Sequence, residues 1–170
     1  MIALTGNLAI LIALAAAAWL VVLGVRHRNT GSRNAFRLPV LVFFGASVAA
    51  FVLLEVGILT HDFSIAYIAN NTATTTPLVF LFAAGWAALE GSIVLWGLTL
   101  ALFTWLVWRR MGDADPLGAV ALGVMGAVSI FWFGLMATAG NPFAVCVDVA
   151  NGACIDSSWW PLADSLAPVE

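Results

Sequence analysis

Four long apolar runs decide what this chain can fold into. They cover about residues 5–25, 38–60, 77–108 and 117–138. A helix needs about 20 apolar residues to cross a bilayer. Of the 170 residues, 63% are hydrophobic and 9% are charged, whereas a soluble domain carries roughly 25% charged residues. The sequence therefore predicts an all-α, polytopic membrane protein with about four transmembrane helices.

The third run is too long for one ordinary span, and the polar segment Glu90-Gly91-Ser92 interrupts it. We expect residues 77–89 to form a short interfacial or re-entrant segment that leads into a crossing helix. One strongly tilted helix is the alternative. The predicted spans are then about 5–25, 38–60, 90–108 and 117–138. They form a transmembrane domain (1–138), which an extracytoplasmic tail (139–170) follows.

The arginines indicate the orientation of these spans. The chain has no lysine, and its six arginines lie in two short segments: Arg26, Arg28, Arg33, Arg37, Arg109 and Arg110. Arginine-rich short loops stay in the cytoplasm. We therefore expect the N-terminus, the loop at 61–76 and the tail to lie outside. The net charge of −3 leaves no basic face for a nucleic acid, which we exclude as a partner.

Cys146 and Cys154 are the only cysteines, and both fall in the predicted outer tail. An extracytoplasmic compartment permits disulfides, so a bond that closes a small loop is our prediction. A redox-active pair is the alternative, although it lacks the C-x-x-C spacing and a second pair. Metal binding would need more ligands than lie nearby, so we expect no metal site.

The two histidines, His27 and His61, both lie outside the spans. We expect His27 to be solvated among the arginines. His61 stands beside Asp62 at the outer end of the second span, where a capping or hydrogen-bonding role is the alternative to haem ligation. Because no histidine lies inside a span, a bis-histidine haem within this bundle is excluded.

Two carboxylates fall inside apolar runs, where charge is costly. We expect Glu55 to reach the membrane interface at the outer end of its span, and a side chain that faces the bundle interior or a cavity is the alternative. Glu90 is expected at the N-cap or in the first turn of the crossing helix, where it favours the positive helix end. A functional polar contact is the alternative for Glu90. We expect Trp159 and Trp160 in the tail to anchor the chain at the membrane surface, and docking on a partner or on a flat apolar ligand is the alternative.

Three segments carry a resemblance to a known family: residues 61–71 (HDFSIAYIANN), residues 86–96 (WAALEGSIVLW) and residues 141–143 (NPF). They resemble the N-terminal part of the CcmF/NrfE family of cytochrome c haem lyases. That family shows a D-F-S-x-x-Y-V-x-x-N-S loop followed by W-G-x-H-E-G-S-x-L-L-W. The match covers most of residues 40–145, and E-G-S-x-x-L-W is its most specific piece.

The chain also departs from the family. Leu89 stands where the family has a histidine before E-G-S. The family's W-W-D segment and its haem-ligating histidines lie downstream of the matched region and do not occur in this sequence. We therefore expect a split subunit or a truncated form that is not catalytic alone, and we transfer no catalytic residue to it.

The resemblance implies a role in cytochrome c maturation at a bacterial or archaeal cytoplasmic (inner) membrane. Haem b is then a substrate that is bound only with partner chains. The implied partners are a chain or segment with the W-W-D motif, the haem chaperone CcmE, a CcmH-type thiol protein, apocytochrome c and the lipid bilayer. Two alternatives stay open: an accessory or assembly subunit without chemistry of its own, and a thiol–quinone oxidoreductase.

The resemblance also indicates a candidate surface, which would border the haem or contact the partner chain. Its residues come from the loop at 61–76 and from the E-G-S segment with its flanking tryptophans: His61, Asp62, Tyr67, Asn70, Asn71, Trp86, Glu90, Gly91, Ser92 and Trp96.

Overall fold

The structure is a computed structural model that describes residues 1–150 and 153–155. The elements in chain order are α1 (Ile2–Arg26), α2 (Arg33–Leu59), α3 (Ala66–Asn71), α4 (Leu78–Ala87), α5 (Leu89–Arg110), α6 (Pro116–Met136), β1 (Asp148–Ala150) and β2 (Ala153–Ile155). Within the described residues, the four helices α1, α2, α5 and α6 are long and apolar enough to cross a membrane. The predicted helical membrane fold is confirmed.

The tail adds a small feature that the sequence analysis missed. Strands β1 and β2 pair antiparallel, with Asp148 opposite Ile155. The two residues between them, and the expected anchor Trp159-Trp160, lie outside the described residues. The division into a transmembrane domain (1–138) and a tail (139–170) stays a prediction.

α4 and α5 are separate helices, so the alternative of one tilted helix is wrong. Ala88 lies between them with an extended backbone, at φ −115° and ψ 175°. α4 has 10 residues and is therefore about 15 Å long, half of the roughly 30 Å that a crossing requires. Glu90 lies in the first turn of α5, while the N-cap position belongs to Ala88. The carboxylate thus faces the positive end of the helix.

In the bundle, α1 packs on α2 and α6, and α5 packs on the same two helices. Small residues permit close approach between membrane helices. One such close approach joins α1 and α6, where a Cβ on Gly24 would lie 2.5 Å from the Gly123 Cα. Ser47, Thr104 and Ser129 are buried. Each hydroxyl donates to the carbonyl four residues earlier, at 2.7, 2.8 and 2.7 Å, so its donor is satisfied within its own helix.

The two ends of the bundle differ in chemistry. The arginine end holds the α1–α2 and α5–α6 connections with all six arginines, and the loop end holds α3, α4 and the start of the tail. At the arginine end, the Arg33 and Arg109 guanidiniums lie 5.4 and 4.9 Å from the ring centroids of Trp108 and Trp105. This arrangement is typical of a membrane interface. That the arginine end faces the cytoplasm stays a prediction.

Substitution of Gly24 by alanine tests the α1–α6 contact. The new Cβ would meet the Gly123 backbone, which cannot rotate away, so the two helices must separate. We expect a loss of about 1–3 kcal/mol, measured as a lower thermal unfolding temperature in detergent. Gly45→Ala on α2 is the matched control, because a Cβ there meets nothing within 4 Å. Equal destabilisation by both variants would contradict this packing.

Candidate functional site

The loop after α2 is fixed in place by the beginning of the tail. The Ala66 N–H donates to the Ala144 carbonyl at 2.9 Å, and the Cys146 N–H donates to the Ser64 carbonyl at 2.8 Å. These bonds form an isolated antiparallel bridge between Ile65 and Val145. The bridge holds α3 at the loop end of the bundle.

A second tie joins α3 to the hairpin. The Asn70 side chain donates to the Cys154 carbonyl at 3.0 Å and accepts from the Cys154 N–H at 2.7 Å. A disulfide joins Cys146 and Cys154, whose Cα atoms lie 5.7 Å apart. The cysteine pair thus closes a loop that packs on α3.

The Asn-Pro-Phe segment anchors the start of the tail on α1. The Asn141 Oδ1 accepts from the Phe143 N–H at 3.0 Å. The Phe143 ring is fully buried against Gly6, where a Cβ would collide with it. A second contact comes from Asn7, whose Nδ2 donates to the Phe143 carbonyl at 3.5 Å. The segment therefore has a structural role.

Tyr67 joins three helices at the centre of the loop end. Its hydroxyl donates to the Ala84 carbonyl in the last turn of α4 at 2.5 Å. On α5, Gly91 lies so close that a Cβ there would collide with the Tyr67 hydroxyl and with the Gly85 carbonyl. The glycine of the E-G-S segment is thus required for the approach of α5 to Tyr67.

Burial raises the pKa of Tyr67 to about 12, and the negative charges of Glu90 and Glu55 act in the same direction. A backbone hydrogen bond from Ala88 to the hydroxyl opposes them. The hydroxyl consequently stays a neutral donor across the physiological pH range.

A cleft of about 540 Å³ opens beside Tyr67. It is lined by Ala66, Tyr67, Asn70, Asn71, Ala88, Glu90, Asn141 and Cys154. The structure therefore brings together four of the predicted surface residues, from α3 and the first turn of α5. One of these, Asn71, is oriented by its Nδ2, which donates to the Tyr67 carbonyl at 2.8 Å. Asn141 also lines the cleft, although it is not among the predicted surface residues. Its Nδ2 has no hydrogen-bond partner in the described part of the chain.

His61 and Asp62 follow the C-terminus of α2, and neither residue lines the cleft. His61 has a left-handed backbone, at φ 55°. Its N–H donates to the Ile58 carbonyl at 3.1 Å, and the Asp62 N–H donates to the Gly57 carbonyl at 3.0 Å, the pattern of a Schellman cap. The Asp62 carboxylate accepts from the Ser64 hydroxyl at 2.5 Å. These residues shape the loop.

Trp86 and Trp96 also lie outside the cleft lining. They are 46% and 61% exposed. Gly91 and Ser92 do not line the cleft either. The Ser92 hydroxyl donates to the Leu89 carbonyl at 2.8 Å within the first turn of α5. Trp86 belongs to a run of exposed apolar side chains on α4, here named the α4 face: Leu78, Val79, Phe80, Phe82 and Trp86.

The Glu55 carboxylate lies inside the loop end of the bundle, and its position at the membrane interface stays a prediction. Both carboxylate oxygens are buried and have no hydrogen-bond partner among the described residues. The carboxylate packs against α4 at Gly85, where a Cβ would collide with Oε1. The partner of Glu55 could not be identified from the sequence, because no sequence pattern predicts how α4 folds back over α2.

The two histidines of this chain lie too far apart to ligate the same haem. His27 precedes α2 and His61 follows it, and this helix of 27 residues is about 40 Å long. The His61 Nε2 is buried. The two histidines therefore cannot ligate one haem within this chain.

No protein-family model matches this chain. It is similar to the cytochrome c-type biogenesis protein CcmF of Haemophilus influenzae, with 33% identity over 148 residues, 84% of this chain and 23% of the relative. CcmF of Pseudomonas fluorescens is 39% identical over 103 residues, 59% of this chain and 16% of the relative.

A solved structure, of the cytochrome c haem lyase CcmF, matches with a TM-score of 0.78 and 38% identity. The match covers 88% of this chain and 26% of that one. The chain therefore spans less than a third of the length of these three proteins.

Tyr67 is the one tyrosine of the chain, so its ionisation can be followed directly by absorbance. We expect tyrosinate to form with a pKa of about 12 in the folded protein, against an ordinary value of 10.0. Since the folded pKa is the higher one, the stabilisation is fully present below pH 10 and is lost as the pH rises to about 12. The Tyr67→Phe variant provides the absorbance blank. A titration midpoint near pH 10 in the folded protein would contradict the burial of the Tyr67 hydroxyl between α4 and α5.

Proposed function

The chain belongs to the CcmF family of cytochrome c-type biogenesis proteins as a partial member, and we propose that it forms one part of a cytochrome c haem lyase. The likeness of nearly the whole chain to the solved haem lyase carries this proposal. In it, the chain helps to attach haem, as a substrate, to apocytochrome c on the outer face of the membrane.

The chain contributes a scaffold and a contact surface to this activity. Its four long helices hold the loop end rigid, and the Tyr67 junction fixes α3, α4 and α5 against each other. Its own histidines offer no axial ligand pair, so iron ligands and bond formation belong to the rest of the lyase.

The α4 face and the cleft are the surfaces that we assign to this contact. α4 is too short to cross the membrane, yet it exposes five large apolar side chains. Large exposed apolar patches mark interaction sites, and aromatic residues dominate binding energy at interfaces. The remaining lyase segment with the W-W-D motif packs on the α4 face, and Glu90 in the cleft adds a polar contact.

The wider assignment follows the family role. The chain lies in the bacterial or archaeal inner membrane, with its N-terminus and tail outside, and works with CcmE, a CcmH-type thiol protein and apocytochrome c. Two features support this orientation: the arginines cluster at one end, and the Cys146–Cys154 disulfide lies at the other.

The alternative of a thiol–quinone oxidoreductase gains no support from the structure. The whole chain has two cysteines, and they are bonded to each other, so no second pair can relay electrons. An accessory subunit without chemistry of its own differs from our proposal in its partners.

Affinity purification from native membranes in mild detergent, followed by mass spectrometry, tests the proposal. We expect to recover a second polytopic chain with the W-W-D segment. The Trp86→Ala variant should lower its recovery at least tenfold, because loss of an aromatic anchor costs about 2 kcal/mol or more. Trp19→Ala on α1 is the matched control, since that side chain is 43% exposed and lies outside α4.

Two outcomes would contradict the proposal. Recovery of unrelated membrane subunits in place of the W-W-D chain would favour the accessory-subunit alternative. Equal losses from Trp86→Ala and Trp19→Ala would remove the α4 face as the contact.

A further inference from the structure

An apolar groove runs along the contact between α1 and α6 at the arginine end of the bundle. Its volume is about 270 Å³. It is lined by Val21, Gly24, Val25, Arg28, Val120, Gly123, Val124 and Ala127. These positions span about two helical turns on each helix, or roughly 10 Å along the bundle.

The two glycines give the groove its shape. Gly24 and Gly123 face each other without side chains, so the backbones touch. Valines flank this contact on both helices, and Val25 and Val124 are 67% and 58% exposed. The groove is therefore open at the surface of the bundle, and its walls are branched aliphatic groups that suit a hydrocarbon chain.

Arg28 is the one charged residue that lines the groove. It lies about one turn beyond Gly24, at the end of the groove nearest the α1–α2 connection. Its side chain is exposed, and no acidic residue lines the groove. The surrounding end of the bundle carries all six arginines against two acids, Asp113 and Asp115. The apolar groove thus ends at the Arg28 guanidinium, in a part of the bundle where arginines outnumber acids.

We propose that the α1–α6 groove binds an anionic phospholipid, with an acyl chain between the valines and the lipid phosphate on Arg28. Guanidinium groups bind phosphate through strong, charge-assisted hydrogen bonds. Basic pockets between membrane helices are suited to anionic head groups. The site lies at the opposite end from the cleft, so it does not depend on the proposed role in cytochrome c maturation.

Native mass spectrometry of the purified chain in detergent, with added phosphatidylglycerol or phosphatidylcholine, tests this site. We expect phosphatidylglycerol to bind at least about fivefold more tightly, the contribution of one arginine near a charged head group. Arg28→Gln should abolish this preference. Ala127→Phe, which fills the end of the groove farthest from Arg28, should weaken the binding of both lipids.

Matched controls separate the groove from general surface charge and from lost stability. Arg37→Gln removes an exposed arginine at the same end, and Ala15→Phe adds a ring at an exposed position of α1; neither residue lines the groove. Both should leave lipid binding unchanged, and circular dichroism checks that every variant is folded.

Three results would overturn the proposal. Equal binding of the two lipids would remove the role of the charge. An Arg37→Gln variant as deficient as Arg28→Gln would show a diffuse field in place of a site. Displacement of phosphatidylglycerol by glycerol phosphate at equal concentration would show that the groove does not hold the acyl chain.

Discussion

The hydrogen bond from the Tyr67 hydroxyl to the Ala84 carbonyl is the interaction on which the loop end depends. A helix that stops leaves its last carbonyls without partners, and lipid cannot supply them. α4 stops after 10 residues, and Tyr67 satisfies one of its last carbonyls from the neighbouring helix α3. That bond, with the close fit of Gly91, fixes three helices and shapes the cleft.

The helical architecture could be predicted from the sequence because a span leaves a long, local signal. The run at 77–108 was divided correctly, since its polar interruption at Glu90 marks the start of α5. The contact of Glu55 with Gly85 could not be predicted, because it depends on how α4 folds back over α2. The hairpin of β1 and β2 could not be predicted either, because its two strands have three residues each, too few for a periodic pattern.

The candidate surface separates into residues of different kinds. Tyr67, Asn70, Asn71 and Glu90 meet at one cleft, whereas His61 and Asp62 form a helix cap. A motif matched along the sequence cannot make this distinction, since adjacent residues in a loop point in different directions. The proposed contact with the rest of the lyase therefore rests on the α4 face and the cleft, which the chain places at one end of the bundle.

Covalent haem staining of c-type cytochromes in cells that lack this chain tests its proposed role in the haem lyase. We expect that holocytochrome c is lost while the apocytochrome is still made and exported, and that the reintroduced gene restores it. Normal holocytochrome levels in the deletion strain, with no second copy of the family present, would contradict the assignment to a haem lyase.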